Sequence, residues 1–177
     1  MGISIRAYAR HRGVSDTAVH KAIRTGRITP EADGTIDPTF DGDGIVKTDF
    51  NGKSDTALSA AFQADGKIVV VGYSGDLNVD RDFAIARYNS DGSLDTTFGS
   101  GGRLVTDIGN PNDEAVSVAI AASGKIIVAG TTSSRNGDFA TVRYLQDGSL
   151  DTTFGGTGTV ITDAFCTGNC SNSFDRV

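Results

Sequence analysis

Reactive and ligand-forming side chains occupy three places in this 177-residue sequence. The first lies near the start, where Ser15, Asp16, Thr17, His20, Lys21 and Arg24 gather and Arg6, Arg10 and Arg12 precede them. Hydroxyl, carboxylate and imidazole groups can read base edges. Guanidinium and ammonium groups can neutralise phosphate or bind guanine, so this set is expected to contact duplex DNA. The second place is repeated: Arg87 and Arg143 are followed by Asp95 and Asp151, a recurrence that points to structural ion pairs. The third is a scatter of metal-ligand types. Asp41-Gly42-Asp43-Gly44 alternates oxygen ligands as calcium loops do, but lacks a bidentate glutamate and reads as a turn. Cys166 and Cys170 lack a second ligand pair, so zinc is not expected. A local disulfide between them would need an oxidising compartment. His11 and His20 lie among arginines that repel a cation. Both histidines are in the basic head and no nucleophile motif accompanies them. The expectation is therefore no enzyme, no cofactor and no metal.

The basic side chains need helices to present them. Residues 5–24 fit a helix-turn-helix, with a first helix from about Ser4 to Arg12 and Ile5, Tyr8 and Ala9 inward. Gly13 marks the turn, where φ is commonly positive. Ser15 can cap the second helix, and Val19, Ala22 and Ile23 fall on one of its faces. The opposite face carries the polar set, the arrangement in which a helix enters a major groove. Gly26 to Asp37 reads as strand, turn, strand, a wing that also begins the pattern described next. The run Ala-Tyr-Ala-Arg-His-Arg-Gly-Val-Ser and the Gly-Arg-Ile that follows resemble winged helix-turn-helix domains of phage small terminase and excision-type proteins. That resemblance implies DNA binding by residues 1–32, with the wing reaching residue 37. The alternative is that two short basic helices merely cap the neighbouring module.

Beyond the head the sequence repeats. DGTIDPTFDGDGIVKTDF at Asp33 recurs as DGSLDTTFGSGGRLVTDI at Asp91 and DGSLDTTFGGTGTVITDA at Asp147. DGKIVVVG at Asp65 returns as SGKIIVAG at Ser123, and RDFAIARY at Arg81 as GDFATVRY at Gly137. The unit is about 57 residues, present roughly two and a half times over residues 33–177. Gly makes up 23 of the residues, and Asp-Gly turns separate β-branched runs, so each unit reads as short strands. In the first copy these are Ile45–Phe50, Leu58–Gln63, Lys67–Tyr73 and Phe83–Tyr88. Asp65-Gly66 and Asp91-Gly92 suit primed hairpin turns. Ile68 to Val71 has no polar alternation and is expected to be buried between blades, with Phe40, Phe98 and Phe154 in the inter-blade core. Four short antiparallel strands per unit describe a propeller blade. The fold class is thus mainly β, propeller-like, preceded by a small α-helical head.

These units resemble the delta-60 repeat, on the Asp-Gly-Lys turn, the Phe-Ala-x-x-Arg-Tyr strand and the Asp-Gly-x-Leu-Asp-x-x-Phe-Gly segment over most of residues 33–164. The resemblance implies a propeller-like binding or architectural scaffold of a bacterial family, often secreted or surface-attached. Asp41 departs from the pattern where later copies have Gly99 and Gly155, and Ser123 departs where the first copy has Asp65. Propellers close with about 4–8 blades. Two and a half cannot form a ring, which favours a fragment of a longer product over several chains completing one ring.

Charge separates the two modules. Residues 1–32 carry six Lys/Arg against Asp16 and Glu31, a net of +4, whereas the remainder of the chain carries −10. The expected partners are duplex DNA for the head, and self-association or further repeats through open blade edges. No apolar run approaches the ~20 residues of a membrane span, and the start lacks a signal-peptide stretch. The chain as written is therefore expected in the cytoplasm, with no membrane or small-molecule partner. Two alternatives stay open: a surface interaction module whose head is a fusion remnant, and a phage-type DNA-packaging or regulatory protein that oligomerises through the repeats.

Overall fold

The structure is a computed structural model that describes residues 40–162, apart from 42–43, 77–79, 110 and 133–137. The chain divides into two units, residues 1–47 with 90–93, and residues 48–89 with 94–177. In the first unit the Asp41 amide donates to the Asp91 carbonyl at 2.8 Å, and Gly92 packs so closely on Asp41 that a Cβ there would lie 3.0 Å from its amide nitrogen.

Eight strands occur among the described residues of the second unit. β1 (Asp55–Phe62), β2 (Ile68–Asp76), β3 (Asp80–Tyr88) and β4 (Arg103–Thr106) form one antiparallel sheet in that order. β5 (Asp113–Ile120), β6 (Ile126–Thr132), β7 (Asp138–Tyr144) and β8 (Thr159–Thr162) form the other. No helix occurs among the described residues, and the two sheets leave the ring open. No helix of the described residues is long and apolar enough to cross a membrane.

Three of the four strands expected in the first copy are present as β1, β2 and β3, but Ile45–Phe50 is not a strand. Its later equivalents, β4 and β8, pair with β3 and β7 of the copy before them. Among the described residues, Ile45–Phe50 has no such third strand to join. Each sheet therefore takes its fourth strand from the next sequence repeat, so the repeat that begins at Asp91 supplies β4 to the first sheet and β5, β6 and β7 to the second. This offset ties neighbouring blades together covalently and by side chains: the buried Tyr144 hydroxyl on β7 hydrogen-bonds Thr106 Oγ1 on β4 at 2.8 Å. Burial pushes the Tyr144 hydroxyl up to a pKa of about 12, against the opposing pull of that hydrogen bond.

The turns differ from expectation in type. Gln63 N–H donates to Lys67 O, Gly66 N–H donates to Gln63 O, and only the glycine has positive φ, +85°. That is a type I turn with a left-handed glycine, not a primed turn. The Ala121–Lys125 turn repeats it. Asp65 and Ser123 occupy a position with ordinary φ, which explains why serine replaces aspartate there at no backbone cost. Asp41, at φ +52°, matches Gly99 at +53° and Gly155 at +58°. Aspartate is among the few residues that tolerate this region.

The core lies between the sheets. Val69 and Val71 of β2 and Phe83 and Ile85 of β3 face Ala115 of β5, Ile126 and Val128 of β6 and Val142 of β7. In the run from Ile68 to Val71 burial alternates: Val69 and Val71 are buried, whereas Ile68 and Val70 are half-buried. Of the three recurrent phenylalanines, Phe98 is buried and Phe40 and Phe154 are half-buried. The faces that meet are different ones. Residues of the second sheet in the core, such as Ile126 and Tyr144, are the repeat equivalents of Ile68 and Tyr88, not of Val69 and Phe83. Stacking is therefore head-to-tail.

Each sheet's first strand carries a bulge, between Ala57 and Ser59 and between Ala115 and Ser117. The carbonyl just before each bulge presses on a glycine of the next strand. A Cβ at Gly72 would lie 1.8 Å from Thr56 O, and one at Gly130 would lie 2.0 Å from Glu114 O.

Candidate functional site

The DNA-facing set, Ser15, Asp16, Thr17, His20, Lys21, Arg24, Arg6, Arg10 and Arg12, lies outside the described residues, as do His11, Cys166, Cys170, Gly42 and Asp43. What the structure brings together is the repeated polar signature, which forms a latch at the junction of the two sheets.

Arg87 stands one residue before the end of β3, where the chain returns through Leu94, bridged to Tyr88. Its Nε donates to Asp95 Oδ2 at 2.8 Å, its Nη2 to Thr97 Oγ1 at 3.3 Å, and its guanidinium stacks over Phe98, 4.6 Å from the ring centroid. Nη1 reaches the Gln146 carbonyl of the following repeat. Asp95 Oδ1 accepts the Thr97 amide and hydroxyl, fixing the carboxylate from the other side. Burial works to raise the Asp95 carboxyl, but the Thr97 hydrogen bonds and the Arg87 charge outweigh it and hold it below its ordinary value. The second copy rebuilds the same group: Arg143 Nε donates to Asp151 Oδ2 at 2.6 Å, and Thr153 donates to Asp151 Oδ1. Lys125, 2.7 Å from Asp151, and Thr153 hold the Asp151 carboxyl far below its usual range. The expected Arg–Asp pairs are thus present, and their surroundings are structural.

Above the latch the next Asp-Gly turn closes down. Gly99 N–H donates to Asp147 O at 2.9 Å, and a Cβ on Gly148 would lie 2.9 Å from the Phe98 ring. Asp147 shapes this turn by accepting the Ser149 amide and hydroxyl. Among the described residues no turn covers Gly155 and Phe154 in the same way, and Arg143 is 25% exposed where Arg87 is 7%.

A second group at the junction was not foreseen. Asp82 on β3, Asp107 after β4 and Asp113 at the start of β5 each offer a carboxylate oxygen, and the three oxygens lie within 4.8 Å of one another. Asp82 and Asp113 are buried, Asp107 is exposed. Asp113 Oδ2 accepts the Ile108 amide and Asp107 Oδ1 the Gly109 amide. One oxygen on Asp82 and one on Asp113 are buried without any hydrogen bond. Burial raises the Asp82 carboxyl, with Asp80 and Asp107 adding to the shift, and burial also raises Asp113 against its hydrogen bonds to Thr132 and Ile108. The available signal was the repeat itself: Asp107 and Asp113 recur from Asp49 and Asp55, and Asp82 recurs as Asp138. Beside the cluster, Arg81 donates its amide to Pro111 O at 3.0 Å and its guanidinium to Glu114, so the same corner joins both sheets.

A family model described as a domain of unknown function (DUF5122) beta-propeller matches residues 63–98 and 121–154. A comparison with curated proteins finds no match. Each matched stretch runs from the turn before the sheet's second strand to the phenylalanine of the latch, Phe98 or Phe154. With two stacked four-stranded antiparallel sheets carrying that latch, this is a propeller-like repeat protein.

Proposed function

We propose that the chain is a non-enzymatic scaffold that binds by adding blade to blade, with residues 1–32 as a DNA-contacting head. The observation that carries the scaffold reading is a contrast at one register of the repeat. Phe83 is 0% exposed, packed toward Gly130 of the second sheet, whereas its equivalent Phe139 is 60% exposed. Ile127 and Arg143 share that outer face with Phe139. An apolar residue presented at a register that elsewhere receives a blade marks a docking surface. Its occupant is a further repeat of the same class, offering the face that Ile126, Val128 and Tyr144 present to the first sheet. Such a contact is heterologous and extends a stack or closes a ring, depending on the rotation per step. Thr131 and Thr141 stand where Tyr73 and Ile85 stand in the first copy, so contact between chains should be weaker than the one within the chain.

Light scattering of the full chain over a concentration series tests this. Reversible self-association that Phe139→Asp abolishes is expected; a monomer at every concentration, unaffected by Phe139→Asp, removes the scaffold reading. The head reading is supported by the +4 charge of residues 1–32 and their helix-turn-helix pattern. Fluorescence anisotropy with duplex DNA should show weak binding with steep salt dependence, because phosphate contacts release counterions. The body's charge of −10 opposes it. Affinity unchanged in a Lys21→Ala plus Arg24→Ala variant would rule out DNA contact through this helix.

A further inference from the structure

We propose that Asp82, Asp107 and Asp113 form a binding site for a divalent cation of the calcium class, placed between the two blades. Three carboxylates converge within 4.8 Å of one another. Buried carboxylates are ordinarily hydrogen-bonded or paired. Here Asp113 is 0% exposed and Asp82 is 8% exposed, and each keeps one buried oxygen that accepts nothing. The other Asp113 oxygen is already engaged by Ile108 N–H, and one Asp107 oxygen by Gly109 N–H, so the ligands are oriented before any ion arrives.

The donor set is all oxygen and anionic, which suits a hard cation and excludes the softer thiolate- or imidazole-seeking metals. Calcium accepts six to eight oxygens in irregular geometry, so three carboxylates completed by water through the exposed Asp107 side are a workable shell. Magnesium, which demands a near-ideal octahedron, fits less well. Because Asp82 belongs to the first sheet and Asp113 to the second, a bound ion would clamp one blade to the next at the corner where Arg81 already meets Glu114. One part of the arrangement recurs: in the copy before, Asp55 Oδ2 accepts the Phe50 amide and Asp55 Oδ1 is again buried and unbonded.

The test uses the full chain after treatment with a chelator, with calcium chloride as the probe in thermal melts and titration calorimetry. Calcium is expected to raise the melting temperature by several degrees with saturable binding. Asp107→Asn, at the exposed position where folding is least at risk, should weaken calcium binding by about tenfold or more, since affinity follows ligand charge. Asp82→Asn should abolish the calcium response. The proposal is overturned if the wild-type chain shows no shift up to about 10 mM calcium, above the ~1 mM of weak sites. It is equally overturned if sodium chloride at matched ionic strength reproduces the shift, or if Asp107→Asn responds as strongly as wild type.

Discussion

Arg87→Ala is expected to destabilise the chain by about 3–4 kcal/mol, whereas Arg143→Ala, the same change one repeat later, should remove about 1 kcal/mol. The two arginines make the same bonds to Asp95 and Asp151 and stack at nearly the same height, 4.6 and 4.7 Å, over Phe98 and Phe154. What differs is the surroundings. Arg87 is 7% exposed and also holds the Gln146 carbonyl, so its removal strands a buried carboxylate and breaks a part-buried tie to the following repeat. Lys67 stands 3.9 Å from Asp95 and offers poor compensation. Arg143 is 25% exposed, and Lys125 remains 2.7 Å from Asp151 when it is gone. Urea unfolding with a common m-value checks the pair. Arg87→Ala should lower the melting temperature by about 10 °C, given roughly 2–4 °C per kcal/mol at this chain length. Equal losses at the two positions would show that the following repeat contributes nothing to the latch.

The same latch shows what the sequence could and could not reveal. Arg87 and Asp95 recur with Arg143 and Asp151 at a constant offset, and pairing them needs only one local hairpin return, so their contact was legible. The blade boundary was not. A repeat has a period but no phase, and only the pairing of β4 with β3 shows that each sheet borrows its last strand from the next copy. The carboxylate cluster was hidden for the same reason. Asp107 and Asp113 lie far from Asp82 in the sequence, and they meet it only because the strand order brings β3 beside the start of β5. The bulges were masked by their own residues, since Leu58 and Val116 are apolar and look like core positions, yet both are exposed. Gly72 and Gly130, glycines inside otherwise strong strands, were the overlooked sign of a close backbone approach.

Gly130→Ala is expected to be the most damaging single-methyl change in the second sheet, destabilising by about 3 kcal/mol or more. The added Cβ would sit 2.0 Å from the Glu114 carbonyl oxygen and 2.8 Å from Phe83 Cζ. The first contact is with backbone paired just before the bulge, so relief requires β5 to give up its register against β6. The second is with the phenylalanine that fills the inter-blade core, so relief in that direction opens the junction. A flexible side chain could move aside; neither of these groups can do so without loss of packing. Gly156→Ala supplies the control. That glycine, unlike Gly130, has positive φ, +79°, and a Cβ there meets nothing within 4 Å. Only the left-handed backbone penalty applies, about 1–2 kcal/mol. Thermal unfolding of the two variants separates steric exclusion at the bulge from a general intolerance of alanine in place of glycine. If Gly130→Ala unfolds no earlier than Gly156→Ala, the bulge is not what holds β5 against the first sheet. Its Asp113 and Glu114 would then need another anchor at the corner shared with Asp82 and Arg81.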